Sequence, residues 1–228
     1  MAFVRLSSAS VFGGFDTGTT SIMDNQAVKK AYSRLAKARK AFEQLVDIND
    51  FNRFSEVWTD LLLAGNGVHS VLEQGAKITP QSRQWFGSKK NERRKDELLN
   101  YMHQARNADE HGVAPVTHIV NEFSLGVTNR PTYVEHFSIG PDGIELDAHY
   151  SDDGAPLPLF VSEPFVVLSE VRDDRFGDVF YPPEKHLGED IISNDPISTA
   201  ELWIHYLTAL IDEAAKLSRL SSMTKNTS

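Results

Sequence analysis

Residues 98–112 read Leu98-Leu99-Asn100-Tyr101-Met102-His103-Gln104-Ala105-Arg106-Asn107-Ala108-Asp109-Glu110-His111-Gly112. Leu98, Tyr101, Met102, Ala105 and Ala108 recur at intervals of three and four, the spacing that lines up apolar side chains on one side of an α-helix. Gly112 stands where a left-handed C′ residue closes a helix and Pro115 follows, so the helix is expected to end at or near His111. Upstream, Pro80 suits a first helical turn and Trp85 and Phe86 begin the stripe, so one long third helix is expected from Pro80 to His111.

Two helices are expected before it. Asp24 is a fitting N-cap for the series Val28, Ala31, Tyr32, Leu35, Ala38, Phe42, Leu45 and Val46. Asn49 and Asp50 supply a stop and a new cap, and Phe54, Val57, Trp58, Leu61, Val68 and Leu72 carry the same period to about Gly75. Gly65-Asn66-Gly67 is expected to weaken and kink the middle of this second helix. Near the C-terminus, Ser198-Thr199-Ala200-Glu201 has the form of a capping box, and Ala200, Trp203, Ile204, Leu207, Leu210, Ile211 and Ala214 form a wide apolar face. A face that wide must pack on something, and the first three helices offer matching stripes.

The texture between these helical parts is different. After Gly112 come short β-branched and aromatic runs separated by Gly-Pro-Asp-Gly (140–143) and Asp-Asp-Gly (152–154) turns. Ile144, Leu146, Ala148 and Tyr150 alternate with Glu145, Asp147 and His149, a strand with one wet face, and 132–139, 144–150 and 165–171 are the expected strands, paired antiparallel as short turns favour. The expected fold is therefore mainly α (α+β overall): an up-and-down bundle of about four helices with an antiparallel β-rich insertion between the third and fourth. In chain order this gives an N-terminal arm (1–23), a bundle (24–112 with 196–221), an acidic insertion (113–195) and a polar tail (222–228).

Composition narrows the function. The chain has 228 residues, enough to bury a core without staples, and no cysteine, which excludes disulfides, thiolate metal sites and cysteine nucleophiles. No run is long enough to span a membrane and no signal-peptide pattern opens the chain, so a cytoplasmic protein with no membrane partner is expected. A net charge of -9 argues against non-specific coating of nucleic acid. The charge is segregated: residues 83–106 carry seven basic against three acidic side chains, whereas 112–195 carry sixteen acidic against four basic.

Arg106 and His111 are the residues suited to chemistry. Cleaving an RNA phosphodiester without a metal needs a proton acceptor for the 2′-hydroxyl, a proton donor for the leaving oxygen and a cation for the crowded transition state. A histidine in the last helical turn faces the negative end of the helix dipole, which favours its protonated form. Five residues correspond to roughly 140° of rotation on a regular helix. The two side chains therefore converge only if the helix relaxes at Gly112 or two copies meet across a two-fold axis, and a homodimer is expected. The basic run Lys89, Lys90, Arg93 and Arg94 is a candidate guide for a phosphate backbone, with a plain solvated helix face as the alternative.

The segment 98–112 resembles the motif helix of the HEPN superfamily, in which an arginine is followed directly by a polar residue and then, four to six residues beyond the arginine, by a histidine. Arg106, Asn107 and His111 match that pattern. The resemblance covers about 24–112, is weaker in the last helix, and departs from the family at the insertion. It implies a bundle that dimerises around the motif helices and a metal-independent endoribonuclease that leaves a 2′,3′-cyclic phosphate, of the kind found among toxins, phage-defence and RNA-processing proteins. It further implies that Arg106 stabilises the transition state, His111 transfers the proton and Asn107 orients the phosphate. RNA is then the expected partner, with an antitoxin or another protein as a further one.

No metal or cofactor is expected. The two Glu-x-x-His pairs of a bundle di-iron centre are missing, Glu201 with His205 is better explained by the capping box, and neither a nucleotide-binding Gly-rich loop nor a nucleophile elbow is present. The rival expectation is a non-catalytic dimeric scaffold whose acidic insertion recognises a partner.

Overall fold

The computed structural model describes residues 21–111, 115–126, 129–140, 143–173 and 176–219. Among these, five α-helices run in the order α1 (Asn25–Val46), α2 (Phe51–Gly75), α3 (Pro80–Lys95), α4 (Glu97–His111) and α5 (Pro196–Arg219). Ten short strands lie between α4 and α5: β1 (Thr117–Val120), β2 (Phe123–Leu125), β3 (Thr132–Gly140), β4 (Gly143–Tyr150), β5 (Leu159–Val161), β6 (Phe165–Leu168), β7 (Val171–Arg172), β8 (Val179–Phe180), β9 (Lys185–His186) and β10 (Glu189–Asp190). They form antiparallel pairs, β1 with β6, β2 with β5, β3 with β4, β7 with β8 and β9 with β10. The protein is thus a mixture of α-helices and small antiparallel sheets.

The helices begin where side chains can satisfy their first free N–H groups. Asp24 accepts from Gln26 N–H at 2.7 Å, and Asp50 from Arg53 N–H at 2.7 Å. The apolar stripes then face one core. Val28, Ala31, Leu35 and Ala38 of α1, Phe54, Val57, Trp58 and Leu61 of α2, Leu98, Met102 and Ala105 of α4, and Trp203, Leu207 and Ile211 of α5 are all buried in it. α1 packs along both α2 and α5, and α4 packs on α2 and α3.

The second helix runs as one element through Gly65-Asn66-Gly67, and three other expectations are corrected below. Gly65 serves packing. A Cβ at Gly65 would fall 2.3 Å from Cη2 of the buried Trp203, so the missing side chain lets α5 come close. The long third helix is two helices, since Asp96 takes an extended conformation (ψ 129°) and ends α3. Its carboxylate then accepts from Leu99 N–H at 2.8 Å and caps α4. α5 is capped one turn earlier than the expected box: Asp195 accepts from the N–H groups of Ile197 and Ser198, both at 2.9 Å, with Pro196 in the first turn and Glu201 exposed. Met23, expected in a loosely ordered arm, is fully buried in the core. The rest of that arm through residue 20, and the tail 222–228, lie outside the described residues.

The β-rich stretch is seated on α4. Tyr101 Oη donates to Ser169 O at 2.7 Å, and Val116, Leu168 and Val171 join the helical core. At the α3–α4 break, Asp96 accepts from Leu187 N–H at 2.6 Å and His186 Nδ1 at 3.1 Å, while Glu97 accepts from Glu184 N–H at 3.0 Å and Lys185 N–H at 3.1 Å. The expected alternation in β4 is present: Ala148 and Tyr150 are buried with Leu157 in a small second cluster, and Glu145 and Asp147 are exposed. No helix among the described residues is long and apolar enough to cross a membrane.

Candidate functional site

The C-terminal half of α4 is held against α2 by polar contacts. Thr59 Oγ1 donates to Asp109 Oδ1 at 2.9 Å, and Asn66 Nδ2 donates to Met102 O at 3.0 Å. On that fixed helix Arg106 and Asn107 are half-buried and meet: Arg106 Nη1 donates to Asn107 Oδ1 at 3.2 Å, and Asn107 Nδ2 donates to Gln104 Oε1 at 3.2 Å. The other edge of the Arg106 guanidinium pairs with Glu110 at 2.7 Å. That pair is i,i+4 on one helix, with Arg106 33% and Glu110 30% exposed, a contact that water screens and a phosphate can compete with. His111 is the last residue of α4, and its side chain lies outside the described residues.

The basic run does not form one solvent-facing row. Lys89 Nζ lies 3.0 Å from Glu213 Oε1 and 3.5 Å from Glu92 Oε2, tying α3 to α5, and Lys90 Nζ lies 2.9 Å from Glu73 Oε1, tying α3 to α2. Arg93 is half-buried; burial lowers its pKa, and the neighbouring Glu73 and Tyr206 oppose that shift. Arg94 is exposed.

Sequence reasoning missed the polar groups just upstream of the motif. Asn66 (7% exposed) and His69 (3% exposed) lie in the otherwise apolar buried stripe of α2. Asn66 Oδ1 lies 3.3 Å from His103 Nδ1 on α4. His69 stacks on Tyr206 with ring centroids 6.2 Å apart, and Tyr206 Oη donates to Glu92 Oε1 at 2.7 Å. Burial, then Arg93 and His103, push the His69 imidazole down to about 3. Burial, then Arg93, Arg106 and Lys90, push His103 down to about 4. Both rings are neutral at physiological pH. The signal available in the sequence was a polar pair three residues apart inside an apolar helical stripe, together with a histidine three residues before Arg106.

Chemically, the end of α4 offers a guanidinium and a carboxamide that contact one another, with neutral imidazoles one turn and more behind them. No protein family, no curated protein and no solved structure matches the chain.

Proposed function

We propose that this protein is a HEPN-like ribonuclease: an up-and-down helical bundle that pairs with a second copy around α4 and cleaves RNA phosphodiesters without a metal. The observation that carries the reading is the contact between Arg106 and Asn107 on the last turns of α4, with His111 closing the same helix. A guanidinium has five N–H donors in a planar fork that suits phosphate oxygens, and it stays charged throughout a reaction. Asn107 holds one edge of that fork, and Glu110 holds the other until a phosphate displaces it. His111 is the last residue of α4, and its role in this reading is to protonate the leaving oxygen.

The test is incubation of the purified chain with single-stranded and structured RNAs in the presence of a chelator. Fragments ending in 2′,3′-cyclic phosphate are expected, with loss of cleavage in Arg106→Ala and His111→Ala variants that keep the wild-type circular dichroism. The absence of cleavage of any RNA, or equal cleavage by both variants, rejects the reading.

A second reading is favoured by the surface of the insertion. Tyr133, Val134, Phe137 and Ile139 of β3 are 54%, 49%, 46% and 65% exposed, in a stretch rich in carboxylates. An apolar strand rimmed by acid is suited to a basic protein partner. In that reading the protein is a non-catalytic scaffold, and Phe137→Ser with Ile139→Ser abolishes partner capture while Arg106→Ala leaves it intact.

A further inference from the structure

α1 is a basic helix on an acidic protein. Against a net charge of -9, it holds Lys29, Lys30, Arg34, Lys37, Arg39 and Lys40 and a single carboxylate, Glu43. Its apolar side is buried in the core, which confines the cations to what remains of the surface. At about 100° per residue, Lys29, Lys30, Arg34, Lys37 and Lys40 fall within an arc of about 140°, in a row about 16 Å long. The four lysines are exposed and Arg34 is half-buried. The polar residues between them on the arc, Gln26, Ser33 and Gln44, are uncharged. Glu43 and Arg39 lie off it, and Arg39 Nη2 donates to Thr208 Oγ1 on α5 at 2.9 Å.

Neutralisation separates this row from the basic run of α3. Lys89 and Lys90 are held by Glu92, Glu213 and Glu73, whereas none of the five cations on the α1 arc makes an ion pair among the described residues. α2 does not supply the missing charge at the N-terminal end of the row. A groove of about 690 Å³ there is bordered by Gln26, Lys29 and Lys30 of α1 and by Ser70 and Gln74 of α2, and the carboxylate at its rim, Asp24, is engaged with Gln26 N–H. Arg34 lies against α2 at Gly67, its Cδ 3.3 Å from where a Cβ would stand. At the other end Glu43 and Asp47 border a groove together with Lys40 and Arg53, so the unbalanced field is greatest from Lys29 to Lys37.

The make-up of the arc selects the partner. A protein interface has apolar or aromatic residues at its centre, and a helix lying on a membrane has them beside its cations. This arc exposes neither: Tyr32 lies outside it, with its hydroxyl donating to Asp212 Oδ1 at 2.8 Å. A nucleic-acid backbone requires neither, because phosphates are held by cations and short polar donors alone. The acidic remainder of the chain repels the same polyanion, which restricts the attraction to this face and sets the direction of approach. We propose that the exposed face of α1, from Lys29 to Lys40, holds the phosphate backbone of a nucleic acid without reading its bases. α1 packs on α2 and α5, and α4 on α2 and α3, so the row is a surface apart from the Arg106 motif. Under the cleavage reading above it is a guide that collects RNA and takes no part in the chemistry. That role rests on the cleavage reading, and the surface itself does not.

The experiment is fluorescence anisotropy of a labelled single-stranded DNA, which carries the phosphates but lacks the 2′-hydroxyl and cannot be cleaved, over a series of salt concentrations. Lys29→Gln, Lys30→Gln and Lys37→Gln are combined in one variant. Lys95→Gln, Arg172→Gln and Lys185→Gln, exposed cations elsewhere on the protein, are combined in a control that removes the same charge. The α1 variant is expected to bind about tenfold or more weakly at low salt, alike for probes of different sequence, with the log–log salt slope smaller by about 2. The control is expected to bind as the wild type. Equal weakening in both variants, or wild-type binding by the α1 variant, overturns the surface. Binding of polyglutamate or phosphatidylserine vesicles through α1 in place of the oligonucleotide overturns the choice of partner. RNA cleavage by the α1 variant is expected to show a raised KM with kcat within about twofold of the wild type. A protein that binds the oligonucleotide through α1 and cuts no RNA supports the surface and rejects the cleavage reading. Cleavage that persists while the α1 variant binds and cuts as the wild type rejects the surface and leaves the cleavage reading standing.

Discussion

Lowering the pH from about 7.5 to about 5 is expected to remove about 2 kcal/mol of folding stability through His69 alone. The ring is 3% exposed, and neither Nδ1 nor Nε2 has a hydrogen-bond partner among the described residues. Burial is the main reason that its pKa is lowered to about 3. An unfolded histidine takes up its proton near pH 6.5, so between there and about 3 the unfolded chain binds a proton that the folded chain refuses. The stability contribution is therefore complete above about pH 6.5 and declines below it by about 1.4 kcal/mol per unit. His103, lowered to about 4, acts in the same direction over the same range and more weakly, since it is only half-buried. Urea unfolding at several pH values measures the effect, and a slope of about 2 kcal/mol per molar converts it to a shift of about 1 M in the midpoint. His69→Phe keeps the stack on Tyr206 while removing both nitrogens, and its stability should fall less steeply with acid. A wild-type midpoint that stays constant over this range, or a variant with the wild-type slope, refutes the assignment of a buried neutral imidazole.

Gly65→Ala is expected to cost about 1–3 kcal/mol despite its better helix propensity, because the new methyl collides with the buried Trp203 ring. Gly67→Ala, which meets only the flexible Arg34 side chain at 3.3 Å, is the control, and thermal midpoints should separate the two. Asp96→Ala removes the cap of α4 and the bonds to Leu187 N–H and His186, so amide exchange over 184–191 should accelerate. Burial pushes the Asp96 carboxyl up, but His186 and the Leu187 and Leu99 N–H groups together hold it below the usual range. That latch is intact above about pH 3.9 and weakens as pH falls through the lower folded pKa, so acid should loosen the same segment in the wild type. Glu110→Gln withdraws the competing carboxylate from Arg106, and several-fold tighter oligonucleotide binding in fluorescence anisotropy is expected, most clearly at low salt. Unchanged binding counts against Arg106 as a phosphate ligand.

Much of the helical framework could be read from the sequence because amphipathic spacing is a local property. Val28, Ala31, Leu35 and Leu45 of α1 and the Trp203–Ala214 face of α5 are buried as their periods require, although Tyr32 and Val46 on the same reading are 41% and 57% exposed. Asp24 and Asp50 cap as expected, because a cap needs only its own first turn. Arg106, Asn107 and His111 stand on one helix, α4, because the period that puts them there is equally local.

Tertiary packing decided the rest. The break at Asp96 depends on partners some ninety residues away, His186 and Leu187, that reward an extended residue in the middle of a helical pattern. Lys89 and Lys90 read as a guide for a phosphate backbone or else a solvated face, yet α2 and α5 bring Glu73 and Glu213 to them. Gly65 looks like a helix breaker until the indole of α5 lies against it. His103 meets an asparagine on another helix, Asn66, whose carboxamide in turn donates to carbonyls on both helices. A linear pattern specifies which face of an element is apolar; which polar group stands opposite it is a property of the assembled helices.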